Sequence, residues 1–276
     1  MTIDAHQHFW KYEPVKHAWI DDSMSVIRQD FMPIDLKKVY DENGIDGCVA
    51  VQADQTLEET NFLLWLSGKY EFIKGVVGWV DLRDDNVDKV LEEYSQHEKV
   101  KGFRHIVQGE TDHNFLLRSN FLRGISYLEK YNFVYDILIL PHQLGAALEF
   151  VKRFPQQKFV IDHIAKPYIK DGYFDGWAAL MKEIAIQENV YCKLSGMITE
   201  AEYSSWTPEQ IIPYLDLVLS AFGSNRIMFG SDWPVCLVAG GYAEVKHLVT
   251  DFISKLSLIE QAQIMGMNAI QFYNLK

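Results

Sequence analysis

The chain opens with MTIDAHQHFW, residues 1–10, a short apolar start that runs into two histidines one residue apart, His6 and His8. Alternate side chains of an extended segment share a face. The pattern therefore predicts a strand whose end projects His6 and His8 the same way, with Asp4 earlier on that face. The same build recurs. Strand-like runs fall at 2–8, 47–53 (GCVAVQA), 75–80 (GVVGWV), 100–107 (VKGFRHIV), 133–138 (FVYDIL), 158–164 (KFVIDHI), 190–195 (VYCKLS) and 226–232 (RIMFGSD). Most lack strict polar alternation, as parallel strands covered on both faces do.

Helix signals separate these runs. Thr56 with Glu59 and Ser257 with Glu260 read as capping boxes, and Thr207-Pro208 followed by Gln210 places proline at a first helical position. Val87, Val90, Leu91 and Tyr94 form one stripe over 84–98, and Val245, Leu248, Val249 and Phe252 another over 242–255. Strand then helix, eight times over, predicts an α/β fold: a (β/α)8 TIM barrel in a single domain, 1–276, with an extra C-terminal helix at 258–272. An open doubly wound sheet is the alternative. The stretch from Trp10 to Pro33 is long for a first strand-to-helix connection and reads as a pocket wall or lid.

Bulk composition narrows the function. Lys+Arg 26 against Asp+Glu 38 gives a net charge of -12, which opposes nucleic-acid binding and favours a small-molecule partner. No apolar run approaches the roughly 20 residues of a membrane span, and no basic start precedes an apolar stretch, so neither membrane insertion nor export is expected. Cys48, Cys192 and Cys236 are widely spaced and read as buried free thiols of a cytoplasmic protein. A homo-oligomer is compatible with the sequence, and nothing in it requires one.

In such a barrel the C-terminal ends of the strands meet at one mouth. They carry Asp4, His6 and His8; Gln52; Trp79; Arg104 and His105; Asp136; Asp162 and His163; Lys193 and Ser195; and Ser231 and Asp232. Ionisable groups are expensive to bury alone, so a shared polar site explains their recurrence. His6 and His8 read either as hydrogen-bonded rim histidines or as ligands. With His163 and Asp232 they make the three imidazoles and one carboxylate that zinc or a similar divalent ion accepts. Arg104 reads as a rim ion pair or as a fork for a carboxylate or carbonyl. Lys193 needs an anion, either Asp232 or Asp162, or touches substrate. Trp10, Trp19, Trp79 and Trp233 flank the mouth, while His17, His97, His113 and His247 read as solvated. No phosphate loop, GxSxG elbow or Cys-His pairing is present.

The segments IDAHQHFW, GVVGWVDL, KGFRHIVQ, IDHIAKP, CKLSGM, RIMFGSDWPV and GMNAIQFYNL, from Ile3 to Leu275, resemble the amidohydrolase superfamily, in particular its branch of sugar-lactone hydrolases. The resemblance implies a (β/α)8 barrel that opens an aldonolactone, such as L-fucono- or L-rhamnonolactone, by attack of water on the ester carbonyl. Carried over residue by residue, Asp232 takes the water's proton. His6, His8 and His163 hold one divalent ion, zinc or manganese, together with Asp232, or else bond the lactone carbonyl in a metal-independent reaction. Arg104, Lys193, Trp19, Gln52 and Trp79 are placed as substrate contacts. The chain departs from the two-metal pattern of the superfamily, which wants a lysine or glutamate ending strand four and a histidine ending strand five. Arg104, His105 and Asp136 stand there instead. The alternatives are a metal-dependent decarboxylase of aromatic carboxylic acids and a non-catalytic sugar-binding barrel.

Overall fold

Eight short strands pair in chain order, each parallel to the next, in the computed structural model, which describes residues 1–276. They are β1 (Ile3–Gln7), β2 (Gly47–Val51), β3 (Ile73–Gly78), β4 (Val100–His105), β5 (Val134–Ile137), β6 (Phe159–Ile161), β7 (Val190–Leu194) and β8 (Ile227–Phe229). Each is followed by a helix: α1 (Pro33–Asn43), α2 (Leu57–Lys69), α3 (Val87–Ser95), α4 (Ser119–Ser126), α5 (Leu144–Arg153), α6 (Asp175–Ala185), α7 (Pro208–Phe222) and α8 (Tyr242–Ile253). All eight expected strands are present, in a (β/α)8 barrel.

The seam between β8 and β1 closes through backbone beside the candidate site. Asp232 N–H donates to the His6 carbonyl at 2.8 Å and His8 N–H to the Trp233 carbonyl at 2.7 Å. Gly230 permits this approach, because a Cβ there would lie 2.7 Å from the Cβ of His6. Closure thus presses the first histidines against the last aspartate.

The helices bury their stripes as their spacing predicts: Val87, Leu91 and Tyr94 of α3, and Val245, Leu248, Val249 and Phe252 of α8. The cap of α2 is half of the expected box. Thr56 Oγ1 accepts from Glu59 N–H, but the Glu59 carboxylate turns away to accept from Ala53 N–H at 3.1 Å. Ser257 and Glu260 cap each other reciprocally.

The C-terminal helix expected at 258–272 is broken into α9 (Leu258–Ala262), a wide turn at Gln263–Met267 and α10 (Asn268–Tyr273). The break has a tertiary cause: a Cβ at Gly266 would meet the Met1 carbonyl oxygen at 2.2 Å, so the chain is interrupted where it crosses its own N-terminus. Beyond it, Phe272, Tyr273 and Leu275 pack on Ile3, Ala5, Val49, Val77, Val134, Val160 and Met228, an apolar plug inside the barrel. Polar groups occupy the other end.

Candidate active site

A cavity of about 280 Å³ opens at the C-terminal mouth, floored by His8, Arg104, His163 and Asp232 and walled by Trp10, Trp19, Met24, Ile106, Leu138 and Val235. Its outer wall comes from the long first loop, pinned at its base by paired hydrogen bonds between Trp10 and Phe31 at 3.0 and 2.9 Å. The loop carries a 3-10 turn at Asp22–Ile27. His17, expected in solvent, is buried here beside the Trp10 ring, with a centroid separation of 5.6 Å. A larger hollow of about 550 Å³ lies around Lys101, Gln157 and Asn274, and holds none of these mouth residues.

His6 and His8 project together, with their Nε2 atoms 3.2 Å apart. Asp4 does not share their face. The pairing register shifts between Asp4 and Gln7, so this irregularity in β1 leaves the aspartate among the helices. There Tyr40, Tyr242 and Ser231 hydroxyls donate to it at 3.0, 3.0 and 2.6 Å. Simple alternation, which predicted one face for all three, fails at a bulge.

Three candidate ligand atoms, from His6, His8 and Asp232, meet at the rim, with His163 beside the carboxylate. His8 Nε2 lies 3.3 Å from Asp232 Oδ1, and His6 Nε2 and His163 Nε2 each lie 3.9 Å from it. The hydrogen-bond partners say which of these atoms carry lone pairs. His8 Nδ1–H donates to the Val51 carbonyl at 2.8 Å, which leaves Nε2 as an acceptor. Arg104 can only donate, and its Nη1 lies 3.3 Å from His6 Nε2, so that nitrogen accepts as well. Two imidazole lone pairs and a carboxylate oxygen therefore face one point, and such a cluster calls for a cation. Bonds of about 2.0–2.1 Å in a tetrahedral site separate ligand atoms by about 3.3 Å; the two contacts of His8 match this at 3.2 and 3.3 Å, while His6 and His163 stand wider from Asp232, at 3.9 Å. The residues fit one divalent ion. A second group that could hold an ion, His6, Asp162 and His163, adjoins the first and shares His6.

The backbone is strained where these ligands are presented. His163, Ile164, Ala165 and Lys166 are all left-handed, with φ of 54, 48, 58 and 47°, and Asp232 has φ 57°. Each such non-glycine residue costs about 1–2 kcal/mol, so surrounding contacts must hold it. Trp177 Nε1–H donates to the Ile164 carbonyl at 2.8 Å, Lys166 Nζ pairs with Glu200 at 2.9 Å, and Ser195 Oγ lies 2.9 Å from His163 Nδ1. Gly196, itself at φ 62°, leaves room for the His163 ring, because a Cβ there would sit 2.6 Å from Nδ1.

Beneath the rim runs a buried column of charge. Lys193 Nζ lies 2.5 Å from Asp136 Oδ2, 2.9 Å from Asp162 Oδ1 and 3.1 Å from His6 Nδ1. Arg104 pairs with Asp162 at 3.0 Å and donates to the Gln52 carbonyl and Oε1 at 2.5 and 2.9 Å. Two cations thus face two carboxylates in the column. Asp232 stands above this balance with only imidazoles beside it. Burial alone would raise its carboxyl, but His163 and the contact with His8 outweigh that and hold it below the usual range. Burial depresses His6 and His163 well below the ordinary imidazole value. At neutral pH the rim therefore holds a carboxylate beside the neutral imidazoles of His6 and His163.

Of the residues expected to contact substrate, Arg104 and Trp19 line the cavity, and Gln52, Trp79 and Lys193 do not. Gln52 is spent on the Arg104 guanidinium. Trp79 Nε1–H donates to His105 Nδ1 at 3.3 Å, and Lys193 lies below the floor, paired with Asp162 and Asp136 rather than with Asp232. Two polar lining residues went unread: Lys166, three positions after His163 in IDHIAKP, and Gln108, whose buried Oε1 has no partner.

The L-fucono-1,5-lactonase of Burkholderia multivorans is 37% identical over 100% of this chain and 96% of its own. The L-fucono-1,5-lactonase of Burkholderia ambifaria is 33% identical over 99% and 95%. A crystal structure of an amidohydrolase from Burkholderia multivorans with bound zinc superposes with a TM-score of 0.96 at 37% identity, covering 100% of both chains. The amidohydrolase family profile matches residues 3–275, and this chain belongs to that family.

Proposed function

We propose that the protein hydrolyses sugar-acid lactones of the aldonolactone class, L-fucono-1,5-lactone first among them, with Asp232 as general base. The observation that carries the reading is the rim itself: an anionic carboxylate 3.3 Å from His8 Nε2 and 3.9 Å from His163 Nε2, at the floor of a cavity with one apolar and one polar side. The two Burkholderia lactonases support the substrate class.

Asp232 takes a proton from water as its oxygen bonds to the lactone carbonyl carbon. Arg104, fixed by Gln52 and Asp162, lines the cavity and presents its guanidinium as a donor for the developing oxyanion or a ring hydroxyl. The bond from carbonyl carbon to ring oxygen then breaks, and Asp232 returns its proton to that oxygen. The products are a free hydroxyl and a carboxylic acid, which ionises. Trp10 and Trp19 cover the apolar face of the sugar and keep bulk water off it. His6, His8, His163 and Asp232 would hold a divalent ion, supported as zinc by the zinc-bound relative, and when bound it supplies Lewis-acid polarisation and a more acidic water.

The three buried free cysteines support a reducing, cytoplasmic setting, and the charge of -12 supports a small neutral or ring-opened sugar acid over nucleic acid as partner. No helix is long and apolar enough to cross a membrane. The test is a panel of aldonolactones and hydroxybenzoates followed by pH change in weak buffer. Proton release with an aldonolactone is expected. Proton uptake with an aromatic acid would make the protein a decarboxylase, and no turnover of either class would make it a binding barrel.

A further inference from the structure

We infer that Glu200 is a specificity-determining residue that acts through Lys166: by pairing with that lysine it confines the cavity to neutral lactones and turns away those carrying a carboxylate on the ring, the aldarolactone class. The inference deepens the lactonase reading and rests on it for the kind of substrate.

The cavity has two Lys or Arg side chains, and both are already answered. Arg104, on the floor, pairs with Asp162 at 3.0 Å. Lys166, on the wall, places its Nζ 2.9 Å from Glu200 Oε1. In the proposed reaction the floor is occupied by the ester carbonyl and its water. Above the floor the wall is apolar but for Lys166 and the Gln108 amide. A ring carboxylate entering this space therefore meets no free positive charge, and burying an unpaired anion is costly. A hydroxyl makes no such demand. It can accept one of the two ammonium N–H groups that Lys166 has left after Glu200.

The backbone fixes both partners. Lys166 ends the left-handed run after β6, and its N–H donates to the His163 carbonyl at 2.7 Å. Glu200 ends a 3-10 turn, Ile198–Glu200, fastened by Thr199 Oγ1 donating to the Gly196 carbonyl at 2.9 Å and by Lys170 N–H donating to the Glu200 carbonyl at 3.0 Å. The Lys170 side chain does not compete for the Glu200 carboxylate, because it pairs with Glu202 at 2.8 Å. Glu200 does not line the cavity itself. It faces a second hollow, beside Tyr168, Thr199 and Tyr203, so it reaches a substrate through the ammonium alone. The two side chains are only 19 and 17% exposed, which shields the pair from salt and lets one charge cancel the other.

Glu200→Gln keeps the length and an amide oxygen for Lys166, so the ammonium stays in place with its charge uncancelled. L-fuconate and galactarate share the galacto configuration and differ in a methyl or a carboxylate at C6, and calorimetric titration with each reads the selectivity without turnover. The wild type is expected to bind fuconate more tightly. The variant should bind galactarate roughly tenfold better than the wild type does, the worth of one charged hydrogen bond, with fuconate changed by less than about threefold. The gain should shrink between about 20 and 500 mM salt, and kcat/KM for D-glucaro-1,4-lactone should rise with it. In Lys166→Met/Glu200→Gln the gain should vanish. If Glu200→Gln does not fold, Glu200→Ala removes the same charge and must shift the ratio the same way. An unchanged galactarate-to-fuconate ratio in the folded variant, a gain indifferent to salt, or a gain that survives in the double variant overturns the inference. Calorimetry reports even if no lactone is opened, and opening of L-fucono-1,5-lactone with an unchanged ratio sinks this inference alone, so the two failures are distinguishable.

Discussion

Lys193→Met keeps a long side chain under the rim and deletes its charge, which isolates the part the buried ammonium plays. Lys193 lies 2.5 Å from Asp136 and 2.9 Å from Asp162, with all three side chains fully shielded. At an effective dielectric of about 20, a pair at that second distance attracts by roughly 6 kcal/mol before desolvation is counted. Methionine recovers the ammonium's desolvation but strands a carboxylate, and breaking a buried pair this way costs about 3–5 kcal/mol. We expect Lys193→Met to lose about 4 kcal/mol and Asp136→Asn about 2 kcal/mol, because the latter leaves Lys193 its partner Asp162. The double variant keeps Arg104 against Asp162, one charge of each sign, and should lose about 3 kcal/mol, a coupling of about 3 kcal/mol relative to the sum. Urea unfolding followed by far-UV circular dichroism measures all four corners of the cycle. A cost below about 1 kcal/mol for Lys193→Met, or losses that simply add, would refute the reasoning that the column is held by charge balance.

Gly196→Ala should lower kcat at least tenfold and reduce Tm, since the methyl would enter the space of the His163 ring from a left-handed residue; unchanged kinetics would show that ring position is not limiting. Glu59 is raised to about 7 by burial, so its proton is favoured in the folded state and stability grows as pH falls through 7 toward the unfolded carboxyl range. Glu59→Gln is expected to gain about 2 kcal/mol at pH 8 and nothing at pH 4, read from urea midpoints at the two pH values; a gain at pH 4 would contradict the sign. Dialysis against a chelator should lower both lactone turnover and Tm, by about 5 °C if an ion had been present at a hundred times its dissociation constant, with both restored by zinc or manganese. Full activity in protein shown to be metal-free by mass spectrometry would assign the carbonyl to Arg104 and the histidines alone.

Local pattern carried the fold because each strand is a short apolar run, and six of the eight end in an ionisable residue. His6, His8, His163 and Asp232 were legible for that reason. What local pattern missed depends on contacts between distant segments. Asp4 leaves the face of His6 because β1 bulges against β2. The terminal helix breaks at Gly266 because Met1 crosses it. Nothing in IDHIAKP announces four consecutive left-handed residues, which are sustained by Trp177, Glu200 and Gly196 from elsewhere in the chain. The partners of Lys193 come from other strands, Asp136 from β5 and Asp162 from just beyond β6, and the register pairs Asp136 with Val160 and Val160 with Tyr191, so only the barrel's stagger brings the three charges together. Lys166 had a signal, a lysine three residues after a candidate ligand.

The reaction proposed above turns on the carboxylate of Asp232, just beyond β8. Asp232→Asn preserves size and the backbone bond to the His6 carbonyl while removing the base, so folded protein with wild-type Tm should open L-fucono-1,5-lactone at least a hundredfold more slowly, about the lower limit for losing a general base. Measured by proton release, turnover within a few-fold of wild type in that variant would contradict the assignment.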